Sequence, residues 1–289
     1  MSGLLRRLAE TPAPLLVVAS AFSVQCGAAL ATTAFDAVGP LGFVWLRVGL
    51  AALLLLAVNA RALRRSGPRP LRWAVATGFA VAGMNACFYL AIDRIPLGLA
   101  VTIEFLGPLS VAVLGSRRAR DYLWIGLAAA GVALLASPAV ELDPAGLGFA
   151  FGAAAGWAAF ILLAKRMLAD WPTGSGLAVT LAVAALLLTP LGLASGGSDL
   201  LDARVLATGL AVAVLGSVLP FVLELHALRS LTTATFGILM SLEPAVGALV
   251  GAVALAQIPG PLETLAVLLV VTASAGAMAR ARRAPPPEF

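Results

Sequence analysis

The sequence predicts an all-α membrane protein of ten transmembrane helices, arranged as two inverted-topology repeats of five helices each. Three observations indicate this fold class: the hydrophobicity of the chain, the distribution of its arginines, and a spacing that recurs between its halves. Hydrophobic residues make up 61% of the sequence and charged residues only 11%, whereas soluble domains carry roughly 25% charged residues. With a mean hydropathy of +1.01, the chain is not an ordinary soluble protein.

Ten apolar runs are long enough to form membrane-spanning helices, which need about 20 residues each. Only helices and closed barrels satisfy the backbone inside lipid, and continuous runs of this length indicate helices. The first run follows two arginines like a signal peptide, but its length and the nine later runs favour an uncleaved first span. The runs cover residues 12–31, 38–58, 73–92, 97–115, 121–138, 146–164, 175–194, 204–225, 233–255 and 261–279.

The basic residues are concentrated on one side of the predicted membrane. Sixteen of the 19 lysines and arginines lie before the first run, after an even-numbered run, or beyond the last run. The loops on the other side contain only Arg94 and Arg204, and Arg47 lies inside the second run. The positive-inside rule therefore predicts that both termini are cytoplasmic. The net charge of +5 is then a topology signal, and nucleic acid is not an expected partner.

A spacing of 136 residues relates the fourth run to the ninth. AVTIEFLGPLSVAVLG (residues 100–115) aligns with FGILMSLEPAVGALVG (residues 236–251), which places Pro108 on Pro244. Because five spans is an odd number, a second copy of five must enter the membrane from the opposite side, as in many secondary transporters. The predicted repeats are residues 1–138 and 139–289.

Polar residues inside the apolar runs are the candidate functional residues. A charge at the bilayer centre costs about 2.5–3.5 kcal/mol on insertion scales, so such residues usually face the bundle interior or a wet cavity. Glu224 lies near the cytoplasmic end of its run and could instead reach the interface beside His226. Six residues are predicted to bind the substrate or a proton: Glu104, Glu243, Arg47, Asn85, Glu224 and Gln25.

Structural roles are the alternative for these side chains. Glu104 or Glu243 could pair permanently with Arg47 and hold helices together. Asn85 and Gln25 could form hydrogen bonds between helices, which is a common use of amides in membrane bundles.

The fourth and ninth runs each combine a glutamate with a proline. Proline has no N–H, so Pro108 leaves the carbonyl of Glu104 without its helical partner, and Pro244 does the same to Met240. Unpaired backbone at this depth is tolerated only against protein or a wet cavity. Gly107, Pro108 and Pro244 are therefore predicted to mark helix breaks that serve in gating.

The segments around these residues resemble those of a known family. GMNACFYLAIDRIPLGLAVTIEFLGPLSVAVLGSRR (residues 83–118), LPFVLELHALRSLTTATFGILMSLEP (residues 219–244) and WLRVGLA around Arg47 resemble the EamA family of the drug/metabolite transporter superfamily, particularly its threonine/homoserine exporter branch. The resemblance implies ten spans, cytoplasmic termini and proton-driven export of amino acids or related metabolites. The family-like positions are Arg47, Asn85, Glu104, Pro108, Glu224, Glu243 and Pro244.

Two features depart from the family pattern. The segment LAQIPGP after the ninth run has neutral Gln257 where many members carry an acidic Gly-Glu pair. The loop after the third run contains a charged pair, Asp93 and Arg94. Both departures leave the substrate open.

The leading hypothesis is a secondary transporter that exports threonine- or homoserine-like metabolites by alternating access. Arg47 could receive a substrate carboxylate, and Glu104 or Glu243 an ammonium group or the coupling proton. No cofactor or metal is expected. The expected partners are a small-molecule substrate and membrane lipid, the protein being a monomer or homodimer, and the expected location is the plasma (inner) membrane of a bacterium.

Three other functions remain open. Efflux of a toxic amphipathic compound would favour an aromatic-lined cavity, and aromatics are 7% of the chain, although Phe88, Tyr89, Phe105 and Phe236 lie close to the acids in sequence. An intramembrane enzyme would need a nucleophile with its base, a carboxylate dyad or a metal site, and the single histidine argues against a metal. A sensor or scaffold is the third alternative.

Overall fold

The computed structural model of the protein describes residues 11–65, 70–114, 122–135, 143–228 and 239–281. These residues are helical apart from short connections, and no strand occurs among them. The helices are α1 (Ala13–Thr32), α2 (Phe35–Arg65), α3 (Arg72–Ile92), α4 (Leu97–Glu104), α5 (Leu106–Leu114), α6 (Tyr122–Leu135), α7 (Pro144–Asp170), α8 (Thr173–Gly196), α9 (Ala203–Ala213), α10 (Leu219–Leu228), α11 (Glu243–Ala254) and α12 (Pro261–Ala281).

All ten apolar runs contain helix, which confirms the all-helical prediction. Five of the helical segments are long and apolar enough to cross a membrane: Ala13–Thr32, Phe35–Arg65, Arg72–Ile92, Pro144–Asp170 and Gly174–Leu201. The other runs hold shorter apolar helices. Phe236 and nine of the arginines counted in the charge distribution lie outside the described part of the chain, namely Arg6, Arg7, Arg69, Arg117, Arg118, Arg120, Arg229, Arg282 and Arg283.

Two of the runs consist of two helices each, and the break in the first of these was predicted from Pro108. The fourth run consists of α4 and α5, which meet at Phe105. The eighth run consists of α9 and α10, joined by a π-helical turn at Val214–Val218. π-helical turns are rare and are frequent at functional sites. Both divisions lie beside residues that the sequence singles out.

Aspartates and prolines set the starts of several helices. Asp143 precedes α7, and its carboxylate accepts a hydrogen bond from the N–H of Ala145 at 3.0 Å. Asp202 precedes α9 and accepts from the N–H of Arg204 at 2.8 Å. Such caps satisfy backbone donors that a helix leaves free in its first turn. The connections can therefore be short.

The helices interleave in one bundle with a shared hydrophobic core. α2 packs along α8, α3 along α7 and α8, α4 along α11, α6 along α12, and α1 along α10 and α11. The α2–α8 contact is close: a Cβ atom on Gly42 would lie 3.2 Å from the Cα of Gly196, and the Nε1–H of Trp45 donates to Thr189 Oγ1 at 3.0 Å. Small residues allow this approach of backbones. Helices that are distant in sequence consequently surround a common interior.

Candidate functional site

A cavity of about 300 Å³ lies among helices α1, α2, α3, α4, α7, α9, α10 and α11 and the π-helical turn. Its wall combines four charged side chains with amides, aromatic rings and small apolar residues. The structure brings together in this wall all six residues predicted to bind the substrate or a proton: Gln25, Arg47, Asn85, Glu104, Glu224 and Glu243. Their roles in binding stay a prediction.

Glu104 reaches the wall because α4 ends there. The N–H of Phe105 still bonds the carbonyl of Val101 at 3.0 Å, but Pro108 has no N–H to offer the carbonyl of Glu104. The helix resumes as α5, in which Leu109 donates to the carbonyl of Phe105 at 3.3 Å. The interruption thus lies where Pro108 predicts it, one residue after the acid.

Glu243 reaches the wall at the start of α11. The chain turns at Ser241 and Leu242, and Leu242 donates to the carbonyl of Leu239 at 3.1 Å. Pro244 follows in the first turn of α11, where its missing N–H costs nothing. A carboxylate in the first turn of a helix is also favoured by the helix dipole.

The predicted gating residues shape the helices without lining the cavity. Gly107 is buried, and a Cβ atom there would collide with the carbonyl oxygen of Ala154 on α7. Pro244 is buried as well, and Pro108 is half-buried. The three residues therefore act on the position of the acids, and a part in gating stays a prediction.

Arg47 is held by neutral groups. Only 7% of it is exposed, and its Nη1 donates to Gly216 O and Ser217 Oγ, at 3.3 Å each. Its Nη2 donates to Asn85 Oδ1, and its Cζ lies 5.2 Å from the centroid of the Tyr89 ring. The guanidinium is therefore oriented from α3 and from the π-helical turn.

Pro220 explains why the carbonyl of Gly216 is available to Arg47. It lies four residues after Gly216 and has no N–H, so the ordinary helical hydrogen bond to that carbonyl cannot form. Leu219 bonds instead to the carbonyl of Val214, five residues back. Pro220 is a signal in the sequence of the same kind as Pro108 and Pro244, but it was not among the predicted gating residues.

The structural alternative, a permanent ion pair of Glu104 or Glu243 with Arg47, is not found among the described residues. No ion pair within 4 Å joins Arg47 to Glu104 or Glu243 in the part of the chain that the structure describes. The Nε of Arg47 is buried and without a hydrogen-bond partner there. A guanidinium has five N–H donors, and the contacts to Gly216, Ser217 and Asn85 use three of them. The Nε–H and one Nη2–H are thus left for a group that enters the cavity.

The three carboxyl groups differ in their contacts. Glu104 and Glu243 are 8% and 4% exposed, and neither carboxylate has a hydrogen-bond partner among the described residues. Glu224 accepts a hydrogen bond from Ser20 Oγ at 2.6 Å. It therefore lines the cavity and joins α10 to α1; the side chain of His226, proposed to lie near it, is outside the described part.

The two amides also differ. Asn85 links helices, as the structural alternative supposed: it accepts from Arg47, and its Nδ2 donates to the carbonyl of Val81 at 2.8 Å. Gln25 is only 2% exposed, yet its amide has no hydrogen-bond partner among the described residues, and its Oε1 is buried. Gln25 does not act as a link between helices.

The aromatic part of the wall was predicted incompletely. Phe88 and Tyr89 line the cavity as their sequence positions suggested, whereas Trp157 and Phe160 on α7 were not singled out. Phe105 is buried behind the wall and packs edge-on against Trp157, with ring centroids 5.7 Å apart. Aromatic residues inside apolar runs are ordinary, so nothing in the sequence distinguished the two on α7.

The two departures from the family pattern lie away from the cavity. The Oε1 of Gln257 accepts a hydrogen bond from the N–H of Leu97 at 2.9 Å, at the start of α4. Arg94 contacts Asp93 at 3.1 Å and Asp143 at 3.7 Å. Both sets of contacts fix connections between helices.

Comparison with known proteins identifies the family. The EamA-like transporter family matches residues 144–279. The threonine/homoserine exporter RhtA of Escherichia coli (strain K12) is 38% identical over 287 residues, which are 98% of this chain and 97% of that protein. RhtA of Salmonella typhimurium (strain LT2) is 38% identical over 276 residues, 94% of this chain and 93% of that protein.

More distant matches agree with this. The uncharacterized transporter YwfM of Bacillus subtilis (strain 168) is 28% identical over 273 residues, 89% of this chain and 90% of that protein. A crystal structure with 21% identity superimposes with a TM-score of 0.65 over 94% of this chain and 98% of that one, so the fold is shared. The chain belongs to the EamA-like transporter family, whose members are transporters and not enzymes.

Proposed function

We propose that the protein exports threonine, homoserine or a related small amino acid from the cytoplasm of a bacterium by alternating access, driven by protons moving inward. The observation that carries this proposal is one cavity whose wall unites a guanidinium with three carboxyl groups. A zwitterionic amino acid carries the complementary charges. The relatives named RhtA, at 38% identity, supply the substrate class.

Arg47 binds the carboxylate of the substrate in this proposal. Its buried Nε has no partner among the described residues, and guanidinium donors match a carboxylate in geometry as well as charge. Glu104 and Glu243 receive the ammonium group and the coupling proton. Neither carboxylate is committed to a protein donor in the described part of the chain, so each is free to bind one or the other.

The inverted repeat, residues 1–138 and 139–289, is the architecture that we propose for this transport. The break at Phe105 lies three residues before Pro108, and the turn at Ser241 and Leu242 lies three and two residues before Pro244. The packing pattern also supports it. In the proposed repeat α1 corresponds to α7, α2 to α8, α3 to α10, α4 with α5 to α11, and α6 to α12. The α3–α7 contact then corresponds to the α10–α1 contact, and both are present. The α2–α8, α4–α11 and α6–α12 contacts each join corresponding helices.

The orientation follows from charge. Basic residues flank the connection between α2 and α3, and acidic residues such as Asp93 and Asp143 flank connections at the other ends of the helices. By the positive-inside rule both termini are then cytoplasmic, in the plasma membrane.

Efflux of an amphipathic compound is the second candidate. It is favoured by the rings of Phe88, Tyr89, Trp157 and Phe160 in the wall, a concentration well above the 7% of aromatics in the chain. A compound of this kind would not need the guanidinium and the acids together. Transport of amino acids is therefore the stronger proposal.

Flux measurements on the purified protein in liposomes test the proposed function. We expect an imposed pH gradient to drive labelled threonine and homoserine across the membrane in the direction opposite to the protons. Glu104→Gln should reduce this gradient-driven flux at least about tenfold, since an amide cannot exchange a proton. Glu263→Gln is the matched control. Glu263 is outside the cavity wall and accepts from the N–H of Gly260 at 2.7 Å, which glutamine can also do.

Each result has a defined meaning. Absence of flux of both amino acids in the wild-type protein at every gradient would contradict the proposed substrate class, and a screen of amphipathic compounds would then test the second candidate. Flux of the same size with and without the pH gradient would contradict only the coupling to protons and would leave the substrate class standing.

A further inference from the structure

We propose that Gln25 recognises the side-chain hydroxyl of the exported amino acid, and thereby makes the protein prefer hydroxy amino acids to apolar ones of the same shape. This inference rests on the proposed function, because it assigns a specificity-determining residue to the same cavity.

The state of the Gln25 amide is the first observation. Only 2% of the residue is exposed, and it lines the cavity. Its Oε1 is an acceptor with no hydrogen-bond partner in the described part of the chain. A buried polar group that lacks a partner costs free energy, so a group entering the cavity that satisfies it gains affinity.

The neighbouring polar side chains are the second observation. Asn85 and Ser217 are bonded to Arg47, and Glu224 is bonded to Ser20. Among the described wall residues, these contacts leave three neutral hydrogen-bonding side chains unused, those of Gln25, Tyr89 and Trp157. Of the three, only Gln25 has a fully buried polar atom without a partner. Its terminal torsion is broad, so the amide can turn its Oε1 towards the cavity at little cost.

The chemistry of the substrate supplies the third step. With the carboxylate on Arg47 and the ammonium group on a glutamate, threonine or homoserine has one polar group left. That group is a hydroxyl, which both donates and accepts, and an amide offers an acceptor and donors side by side. A cavity of about 300 Å³ is at the small end of ligand sites, so one small amino acid must make all three contacts at once.

This contact predicts strong discrimination between substrates with and without the hydroxyl. A site that hydrogen-bonds a substrate hydroxyl rejects the analogue without it far more sharply than an apolar pocket distinguishes one methylene. Valine has nearly the shape of threonine but no hydroxyl. Threonine should therefore be exported in strong preference to valine, and homoserine in preference to 2-aminobutyrate.

Competition in proteoliposomes tests the proposal. We expect the wild-type protein to prefer threonine to valine by about tenfold or more in flux divided by KM, and Gln25→Met, similar in shape, to bring this ratio close to one. Gln25→Glu keeps an acceptor and should retain a preference. Ser23→Ala is the control on the same helix: Ser23 is outside the cavity wall and bonds the carbonyl of Leu215 at 2.7 Å, so its loss should leave the ratio unchanged.

Measurements on the wild-type protein keep the proposal testable even if Gln25→Met does not fold. O-methylthreonine keeps the oxygen but cannot donate, so it should compete no better than valine; competition equal to that of threonine would overturn the assignment. Equal export of threonine and valine, or an unchanged ratio in Gln25→Met, would overturn it while the proposed function stands. Flux of neither amino acid would overturn both.

Discussion

Arg47 illustrates how single residues specify the site. Its guanidinium contacts Gly216, Ser217 and Asn85 on different sides and stacks on Tyr89. A planar fork of donors can make these contacts together, whereas the ammonium of lysine is a point charge on a flexible stem. The position therefore depends on the shape of the cation as much as on its charge.

We expect Arg47→Lys to raise the KM for threonine by about tenfold or more. Hydrogen bonds to charged groups contribute about 1.5–3 kcal/mol each, and about 1.4 kcal/mol corresponds to a factor of ten. Concentration-dependent flux in proteoliposomes measures this. Arg204→Lys, an exposed position at the start of α9, is the control, and an unchanged KM in Arg47→Lys would contradict the role of the guanidinium.

The sequence predicted the charged residues of the site better than its small ones. Arg47, Glu104 and Glu243 are conspicuous because a charge inside an apolar run is expensive. Ser20 and Ser217 are not, since hydroxyls are tolerated throughout membrane helices by bonding to the backbone. Among the described residues, Asn85 is hydrogen-bonded within the protein and Gln25 is not. This difference depends on distances between helices, which the sequence does not contain.

At the scale of helices, the prolines were the informative signals and their consequences were only partly foreseen. Pro108 and Pro244 indicated the two breaks that bring the acids to the cavity. Pro220 is an equal signal, four residues before Glu224, but the side chain that uses its freed carbonyl is not that acid. Its partner, Arg47, lies 169 residues from Gly216, and a contact of that separation cannot be inferred from local pattern.

The connection between α11 and α12 contains a strained backbone conformation that should lower the stability of the protein measurably. Ala256 has a φ of 55°, in the left-handed region, which costs a residue other than glycine roughly 1–2 kcal/mol. Its neighbour Gln257 bonds Leu97 through its side chain and the carbonyl of Gly251 through its N–H, at 2.9 and 3.0 Å. The strained backbone at Ala256 thus aims Gln257 at the start of α4.

We expect Ala256→Gly to raise the stability of the protein by about 1 kcal/mol, because glycine adopts this conformation without strain. The same change at Ala252, inside α11, should lower stability by about 1 kcal/mol, since glycine is unfavourable in a helix interior. Thermal unfolding of both variants in detergent checks the opposite signs. A lower midpoint for Ala256→Gly would show that the conformation is not strained.

At the scale of the whole molecule, both parts of the chain contribute to the cavity wall and meet where α4 packs along α11. Glu104 and Glu243 lie at the ends of α4 and α11 that face the cavity. Near the start of α4 this helix contacts the middle of α11: a Cβ atom on Gly98 would lie 2.5 Å from the Cα of Ala248. In the proposed alternating access, a substrate that passes between α4 and α11 requires this contact to separate.

A reversible cross-link tests that requirement. A Cβ atom on Gly251 would lie 3.6 Å from the Cβ of Leu97, within the usual range for a disulfide. With Cys26 and Cys87 replaced by alanine, we expect Leu97→Cys combined with Gly251→Cys to lose threonine flux on oxidation and to recover it on reduction. The single-cysteine variants should be insensitive to oxidation, since they cannot form the link. Full flux through the oxidised double variant would mean that the substrate does not leave between α4 and α11, and that the two halves move about another contact.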